Sequence, residues 1–266
     1  PIRSTNSTHV ASRDGYVIIL RDITKQKSLE DERDEFISIV SHELRTPIAI
    51  AEGSLSNVQL MMQRSGIPPA TLHSGIDLAH DQIVFLAKMV NDLSTLSRAE
   101  RGVADTPEII EVNTIINELY NEYLPEAKEK SLRFDLDLDP QLGYVNESRL
   151  YLKELLQNFI TNAIKYTQKG GVTISVKKTA KNKLTFTVKD TGIGISRSDQ
   201  QHLFQKFWRS EDYRTRETSG VGLGLYVAHK LAGKLNTEIE LKSRLNHGSA
   251  FSFTIPTAKL KNGKRY

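Results

Sequence analysis

The sequence predicts two domains: an all-α helical hairpin that forms a dimeric four-helix bundle, then an α+β sandwich in which helices cover a mixed sheet. The chain of 266 residues with 38% hydrophobic content is long enough for two cores. Apolar residues recur at helical spacing as far as about Arg101. From about Thr106, helices are mixed with strands that follow one another directly, which favours a mixed or antiparallel sheet.

Composition excludes several classes of protein. The 36 basic and 32 acidic residues leave a formal charge of +4, so nucleic-acid binding is not indicated. Because cysteine is absent, disulfides and thiolate metal sites are excluded, which suits a reducing cytosol. No apolar run approaches the roughly 20 residues of a membrane span. We therefore expect a cytoplasmic chain, with any membrane anchor in a segment upstream of it.

Residues 1–22 are predicted to be the end of a separate domain. Residues 15–20 are rich in β-formers and follow a turn at Asp14-Gly15. A single strand is not stable alone, so this run is interpreted as the last strand of a domain that lies mostly upstream.

Residues 23–103 are predicted to form the helical hairpin. Pro47 is expected to kink the first helix, and Gly66 with Pro68 and Pro69 forces a turn before the second. An isolated hairpin cannot bury its apolar stripe, so we expect a second copy of the chain to complete a four-helix bundle. The stripe consists of Leu29, Phe36, Ile37, Val40 and Leu44 in the first helix and Leu72, Ile76, Leu78, Ile83, Leu86, Met89, Val90, Leu93 and Leu96 in the second.

Residues 104–266 are predicted to form the α+β sandwich. Helices are expected at about 112–130, 148–166 and 222–232, and strands at about 132–138, 172–177, 184–189, 238–242 and 249–255. Three motifs in this domain carry residues suited to binding a nucleotide.

The first motif lies on the helix expected at 148–166. Asn158, Asn162 and Lys165 share one face, at positions i, i+4 and i+7. A carboxamide oxygen is a hard ligand suited to Mg²⁺ that phosphate and water already coordinate, and a lysine supplies a positive charge for the phosphates. The alternative is a polar helix face that contacts only water.

The second and third motifs contain closely spaced glycines. At 190–194 an aspartate follows an apolar strand, where a buried carboxylate can accept a hydrogen bond from the amino group of adenine; the alternative is a simple Asp-Gly turn. At 219–225 the glycines open a helix, where backbone N–H groups can approach phosphates. This segment follows no strand, so it matches a dinucleotide fingerprint poorly, and no Walker P-loop occurs.

In this order and spacing, the motifs resemble the ATP-binding domain shared by histidine kinases, DNA gyrase, the Hsp90 chaperones and MutL. The resemblance covers about residues 151–255 and includes the Phe-Gln-Lys-Phe-Trp-Arg run at 204–209. It implies ATP and Mg²⁺ as cofactors, with Asn162 coordinating Mg²⁺ and Asp190 holding adenine. The nucleotide-binding residues that it implies are Asn158, Asn162, Lys165, Tyr166, Asp190, Gly192, Gly194, Gly220, Gly222, Leu223 and Gly224.

The resemblance also implies a mobile lid over the nucleotide. The lid would span residues 205–219, the glycines at 220, 222 and 224 would anchor it, and Arg209 would approach the γ-phosphate. Phe204 and Phe207 would either anchor the lid or pack in the core. The sequence departs from the family at Ala232-Gly233-Lys234, where His-Gly-Gly often stands, with no active-site role lost.

The residue type at position 158 distinguishes two branches of this superfamily. The ATPase members place a glutamate at this position, one turn before the magnesium asparagine, to activate water. Without a carboxylate, water is poorly activated and the phosphoryl group is kept for another acceptor. This favours a kinase over the alternative, an ATP-gated dimerisation clamp without a phosphoacceptor. A scaffold with a degenerate nucleotide site fits less well, because every expected polar residue is present.

The phosphoacceptor is predicted in the hairpin, where Ser-His-Glu-Leu-Arg-Thr-Pro at 41–47 resembles the phosphorylation box of the commonest class of histidine kinases. His42 is implied as the nucleophile, since neutral imidazole can attack a γ-phosphoryl group near pH 7. Glu43 would orient the ring or accept its proton; consecutive helix residues do not face each other, so Glu43 would have to bend back, for instance on domain docking.

Thr46 stands one turn after His42, on the same helix face. In the kinases that this box resembles, a hydroxyl or amide there positions water for dephosphorylating the partner. The alternative is that Thr46 only shapes the kink before Pro47.

The resemblance implies a homodimeric sensor histidine kinase that phosphorylates His42 with ATP and passes the phosphoryl group to an aspartate in the receiver domain of a response regulator. A weaker resemblance covers residues 10–28, which look like the closing strand and exit of a PAS sensor domain.

Overall fold

The structure is a computed structural model that describes residues 21–63, 68–101, 106–179, 182–216 and 220–258. The expected PAS-like strand and most of the expected hairpin turn therefore lie outside the described residues. The elements are, in chain order, α1 (Thr24–Met62), α2 (Pro69–Arg101), β1 (Glu108–Glu111), α3 (Val112–Glu129), β2 (Arg133–Leu138), β3 (Tyr144–Glu147), α4 (Arg149–Tyr166), β4 (Gly171–Thr179), β5 (Lys183–Asp190), α5 (Arg197–Gln200), α6 (Tyr213–Arg216), α7 (Gly224–Lys234), β6 (Glu240–Ser243) and β7 (Ser249–Pro256).

Helices α1 and α2 pack against each other and confirm the predicted hairpin. Helix α1 continues through Pro47, and a kink there stays a prediction. The helices approach closely at Gly75, where an added Cβ would lie 2.5 Å from the side chain of Val58. Much of the apolar surface of the hairpin remains exposed in the single chain. The exposed residues include Ile37, Ile48, Leu60, Met62, Ile76, Ile83 and Val90.

The second domain is built on a five-stranded mixed sheet with strand order β2-β4-β5-β7-β6, which confirms the predicted fold class. Strands β2 and β4 are parallel, and the other neighbouring pairs are antiparallel. Buried residues alternate along β4, β5 and β7, as expected of a sheet whose one face is covered. Helix α4 packs on β4 and β5, and α3 packs on β2 and α4.

Two short strands were not predicted from the sequence. Strands β1 and β3 form a separate antiparallel pair, with Glu108 opposite Glu147 and Glu111 opposite Tyr144. Each strand has only four residues, which is too short for a clear alternating pattern. Helix α7 begins at Gly224 rather than 222, and β6 begins at Glu240 rather than 238, because the preceding residues form loops.

The two domains pack against each other in the described structure. Helix α2 of the hairpin contacts α7 of the second domain, and the ring of Phe36 on α1 contacts the ring of Phe207. Met89 and Leu96 of α2 are buried, and Leu96 belongs to the main apolar core. The hairpin therefore lies beside the motifs of the second domain.

Candidate functional site

A cavity of about 1080 Å³ brings the predicted nucleotide-binding residues together. It lies between helix α4, the loop after β5, the segment around Arg209 and the start of α7. Gly192 is the one predicted residue of this set that does not line it. The predicted residues on its wall are Asn158, Asn162, Lys165, Tyr166, Asp190, Gly194, Arg209, Gly220, Gly222, Leu223 and Gly224.

Helix α4 presents its polar face to this cavity because its apolar face is fixed in the core. Its N-cap, Ser148, accepts a hydrogen bond from the backbone N–H of Tyr151 (3.2 Å), which satisfies one of the free donors at the helix start. Leu152, Leu155 and Phe159 are buried on the sheet side. The predicted face of Asn158, Asn162 and Lys165 therefore faces the cavity, and the binding of a nucleotide by this face stays a prediction.

Asn158 is buried and held in one orientation. Its Nδ2 donates a hydrogen bond to the carbonyl of Glu154 (2.9 Å), and its side chain is 5% exposed. Its Oδ1 lies at the start of α7, where a Cβ added to Gly224 would approach to 2.6 Å. Glycine at 224 thus allows the helix start to pack directly on the amide.

Asp190 is held by backbone hydrogen bonds to one of its two carboxylate oxygens. Its Oδ1 accepts hydrogen bonds from the backbone N–H groups of Gly192 (2.8 Å) and Ser249 (3.2 Å). Within the part of the chain that the structure describes, its Oδ2 accepts none. Burial raises the pKa of the Asp190 carboxyl, and the two N–H donors oppose that shift. Gly192, although off the cavity wall, thus holds Asp190.

The segment before α7, from Phe207 to Gly222 in its described residues, is held in place by contacts with the backbone. Gly222 has φ of +76°, and a Cβ there would lie 2.6 Å from the carbonyl oxygen of Trp208. Phe207 itself has φ of +60°, which is unusual for a bulky residue. Arg209 donates from Nη2 to the carbonyl of Thr215 (2.8 Å) while lining the cavity. Residues 217–219 of the expected lid lie outside the described residues.

Positive charges surround Lys165. Burial lowers the pKa of Lys165 to about 8, and the nearby charges of Arg209, Lys88 and Lys130 add to this effect. Lys130 is fixed beside α4 by its hydrogen bond to the carbonyl of Ile164 (3.3 Å). A Cβ added to Gly220 would lie 2.8 Å from Lys165 Nζ, so this side chain reaches the glycine-rich segment. Like charges gathered in this way favour a bound anion.

The donor set fits Mg²⁺ that is shared with a phosphate ligand. Asn162 places a carboxamide on the cavity wall, close along the helix to Lys165. No cluster of three or more His, Cys, Asp or Glu ligands occurs among the described residues. Mg²⁺ commonly takes one or two protein ligands and completes its shell with phosphate oxygens and water.

Helix α2 forms a further wall of the cavity, which the sequence did not predict. Phe85, Lys88, Met89 and Asp92 recur at helical spacing and line it. Burial raises the pKa of Asp92 to about 6; the charge of Lys88 opposes this shift and that of Glu154 adds to it. The apolar spacing of α2 was recognised, but which face would meet the second domain depends on tertiary packing.

The predicted phosphoacceptor residues lie on α1, and none of them lines the cavity. The side chain of His42 is 75% exposed, and its Nδ1 lies 3.4 Å from Glu43 Oε1. The Glu43 side chain thus bends back toward the ring in a structure whose two domains pack together, and the dependence of this contact on docking stays a prediction. Thr46 is exposed, and its Oγ1 donates to the carbonyl of His42 at 3.4 Å.

The fold and the cavity define a two-domain protein with a nucleotide-binding α+β domain behind an exposed helical histidine. Two family models match it. The model described as "Histidine kinase-, DNA gyrase B-, and HSP90-like ATPase" matches residues 147–259, and "His Kinase A (phospho-acceptor) domain" matches residues 32–102. Together they cover more than half of the chain.

Relatives and solved structures agree with these matches. The sensor histidine kinase WalK of Bacillus subtilis is 31% identical over 254 residues, which are 91% of this chain and 40% of WalK. RppB, a sensor histidine kinase of Synechocystis, is 31% identical over 228 residues, which are 85% of this chain and 49% of RppB. The chain thus spans less than half of the length of these two relatives.

The histidine kinase AdeS of Acinetobacter baumannii has a TM-score of 0.62 and 26% identity, covering 82% of this chain and 98% of AdeS. ThkA, solved in complex with the response regulator protein TrrA, shares the fold with a TM-score of 0.67 at 22% identity, covering 89% of this chain and 65% of that one. The chain belongs to the sensor histidine kinase family. None of the described helices has the length and apolar character needed to cross a membrane.

Proposed function

We propose that this chain is the catalytic core of a dimeric kinase that transfers the γ-phosphoryl group of ATP to His42 and then to an aspartate of a response regulator. Its domains would be a PAS-like remnant at 1–22, the phosphoacceptor hairpin at 23–103 and the ATP-binding domain at 104–266. The observation that carries the proposal is the cavity in which Asp190, Asn162 and Lys165 converge.

Each residue of the cavity has a role suited to its chemistry. Asp190 Oδ2 would accept a hydrogen bond from the adenine amino group, because Oδ1 is already occupied by two backbone donors. Lys165 and Arg209 would neutralise phosphate charge, and the backbone N–H groups at the start of α7 would approach the phosphates. Asn162 would hold Mg²⁺, which supplies positive charge to the β- and γ-phosphates.

The first step forms a bond between a ring nitrogen of His42 and the γ-phosphorus and breaks the bond from that phosphorus to the β,γ-bridging oxygen, releasing ADP. Glu43 contacts Nδ1, which favours the tautomer with its proton on Nδ1 and leaves Nε2 as the nucleophile. The carboxylate then balances the positive charge that develops on the ring. Because the transition state is loose, alignment contributes more than strong base catalysis.

The second step breaks the bond between nitrogen and phosphorus and forms a bond from phosphorus to an aspartate oxygen of the receiver domain, which restores neutral His42. The exposure of the His42 side chain supports access by such a partner. Thr46 would act in the dephosphorylation of the partner, by positioning a water in line with the phosphoryl group of the phosphorylated aspartate.

A second copy of the chain is the proposed partner of the hairpin. Ile37 is 53% exposed, Ile83 is 55% exposed and Leu60 is 59% exposed on helices that already pack against each other. Pairing two hairpins into a four-helix bundle would remove such side chains from water at roughly 25 cal/mol for each Å² of apolar surface.

The alternative of an ATP-gated clamp is disfavoured by Asn158. The amide at this position is buried and, unlike a carboxylate, takes up no proton near neutral pH, so it cannot act as a base toward water.

The test is labelling of the chain with γ-labelled ATP. We expect acid-labile label on the wild type, none on His42→Gln, and normal label on the control His73→Gln, which changes another exposed helical histidine. Nucleotide binding should survive in His42→Gln, because His42 does not line the cavity. Label that persists at another residue of His42→Gln would refute the assignment.

A mixing experiment decides which subunit is phosphorylated. A His42→Gln subunit keeps its nucleotide site, and an Asn162→Ala subunit keeps its acceptor. If the reaction occurs between subunits, the mixture should label strongly although neither variant labels alone; if it occurs within one subunit, the mixture should remain unlabelled.

A further inference from the structure

The nucleotide cavity is walled on one side by the hairpin, so it is shared by both domains. Asp81, Phe85, Lys88 and Asp92 of α2 recur at spacings of three and four and line it. Met89, on the same wall, is 2% exposed. Helix α2 also contacts α7 of the second domain, so this wall belongs to the region where the two domains pack together.

Lys88 is the only positively charged residue among the described residues of α2 that line the cavity. Its charge acts on Lys165 across the cavity, together with those of Arg209 and Lys130. These four residues come from four separate segments: α2, the end of α3, α4 and the segment before α6. Carboxylates such as Asp92 and Glu154 line the same cavity, and an anion bound among the four cations would further lower their mutual repulsion.

The nearest carboxylates do not neutralise Lys88 by direct contact. Its charge affects Asp92 and Glu154, yet in the described part of the chain Lys88 forms neither an ion pair within 4.0 Å nor a hydrogen bond. Lys88 is exposed. A lysine has a flexible four-carbon stem and a compact charge, which suits a phosphate chain of variable position.

We propose that Lys88 binds the phosphate chain of the nucleotide, so that the hairpin completes a site whose other residues belong to the second domain. This rests on the proposed function, since it takes the ligand to be ATP. It follows that nucleotide and domain packing support each other: a ligand that binds only the packed arrangement stabilises it.

The experiment compares ATP with adenosine, which lacks phosphates, on the full chain in the presence of Mg²⁺. Lys88→Met should weaken the binding of ATP about tenfold, which is the effect of losing one charge-assisted contact. The affinity for adenosine should be unchanged. Lys88→Arg should retain most of the ATP affinity because it keeps the charge. Arg98→Met, which removes an exposed cation of α2 outside the cavity, is the matched control and should behave as wild type.

The outcomes separate this inference from the proposed function. Wild-type affinity for ATP in Lys88→Met overturns the role of Lys88 alone. If Lys88→Met weakens the binding of ATP and of adenosine equally, the proposed phosphate contact of Lys88 is also overturned, because the residue would then act through packing. Failure of the wild type to bind ATP overturns the proposed function itself, and with it this inference.

Discussion

The ring of Phe36 on helix α1 lies 5.5 Å from the ring of Phe207, with an angle of 42° between their planes. Lys206 Nζ lies 5.6 Å from the Phe36 centroid and 5.5 Å from that of Tyr226, so one cation faces an aromatic ring of each domain. The segment that carries Phe207, which was expected either to anchor the lid or to pack in the core, thus also contacts α1.

Phe36→Ala should loosen this segment. Aromatic pairs contribute about 0.5–1.5 kcal/mol beyond their buried area, so amide hydrogen exchange at 204–209 should become several-fold to about tenfold faster. Ile37→Ala, at the exposed neighbouring position, should leave this exchange unchanged. Identical exchange in Phe36→Ala and the wild type would mean that the ring contact does not restrain the segment.

Asp190→Asn should lower the affinity for ATP by at least about tenfold, with little loss of folding stability. The asparagine Oδ1 can keep the hydrogen bonds from Gly192 and Ser249, but its Nδ2 would then place a donor against the adenine amino group. Titration of ATP and thermal unfolding of the same sample check this. Asp135→Asn, at an exposed position on β2, is the control; ATP affinity that matches the wild type would make Asp190 only a turn residue.

Asp92→Asn should stabilise the chain near neutral pH. Burial raises the pKa of Asp92 to about 6, above its ordinary value, so the folded chain holds this proton more tightly and stability falls as the pH rises from about 4 to 6. Removing the charge should raise Tm by several degrees at pH 7.5, with the gain roughly halved at pH 5. Asp77→Asn, at an exposed position elsewhere on α2, is the control. A gain in Tm that does not vary with pH would contradict the prediction.

Thr46→Ala should keep autophosphorylation at His42 and lengthen the lifetime of the phosphorylated partner. The exposed hydroxyl lies one turn after His42, and its present bond to the His42 carbonyl is long at 3.4 Å, so it is available to orient a water. The measurement is the decay of purified phospho-regulator with the kinase and ADP. Decay as fast as with the wild type would leave Thr46 no part in hydrolysis.

The sequence predicted the face of α4 because that face is a local property of the chain. Helical periodicity alone places Asn158, Asn162 and Lys165 together, once their apolar neighbours are assigned to the core. Asp190 was found for a similar reason, as the polar end of an apolar strand. The roles of these residues in binding ATP stay predictions.

What the sequence did not predict depends on contacts between distant segments. Ser249 donates to Asp190 from a strand 59 positions later in the chain, and Lys88 reaches the cavity only because α2 packs on the second domain. Backbone geometry separates consecutive side chains of a helix, and the contact of His42 with Glu43 forms because the longer Glu43 side chain bends back toward the ring, as the sequence analysis required. The PAS-like resemblance stays a prediction, as does the cytoplasmic location.

Helix α1 is one uninterrupted element from Thr24 through Phe36 to His42. At about 1.5 Å per residue, His42 lies ~27 Å along this helix from Thr24, and at about 100° per residue Phe36 and His42 project ~120° apart around its axis. Rotation of this helix as a rigid body about its axis turns both side chains by the same angle. Phe36 therefore cannot break its ring contact with Phe207 by such a rotation unless His42 turns through the same angle.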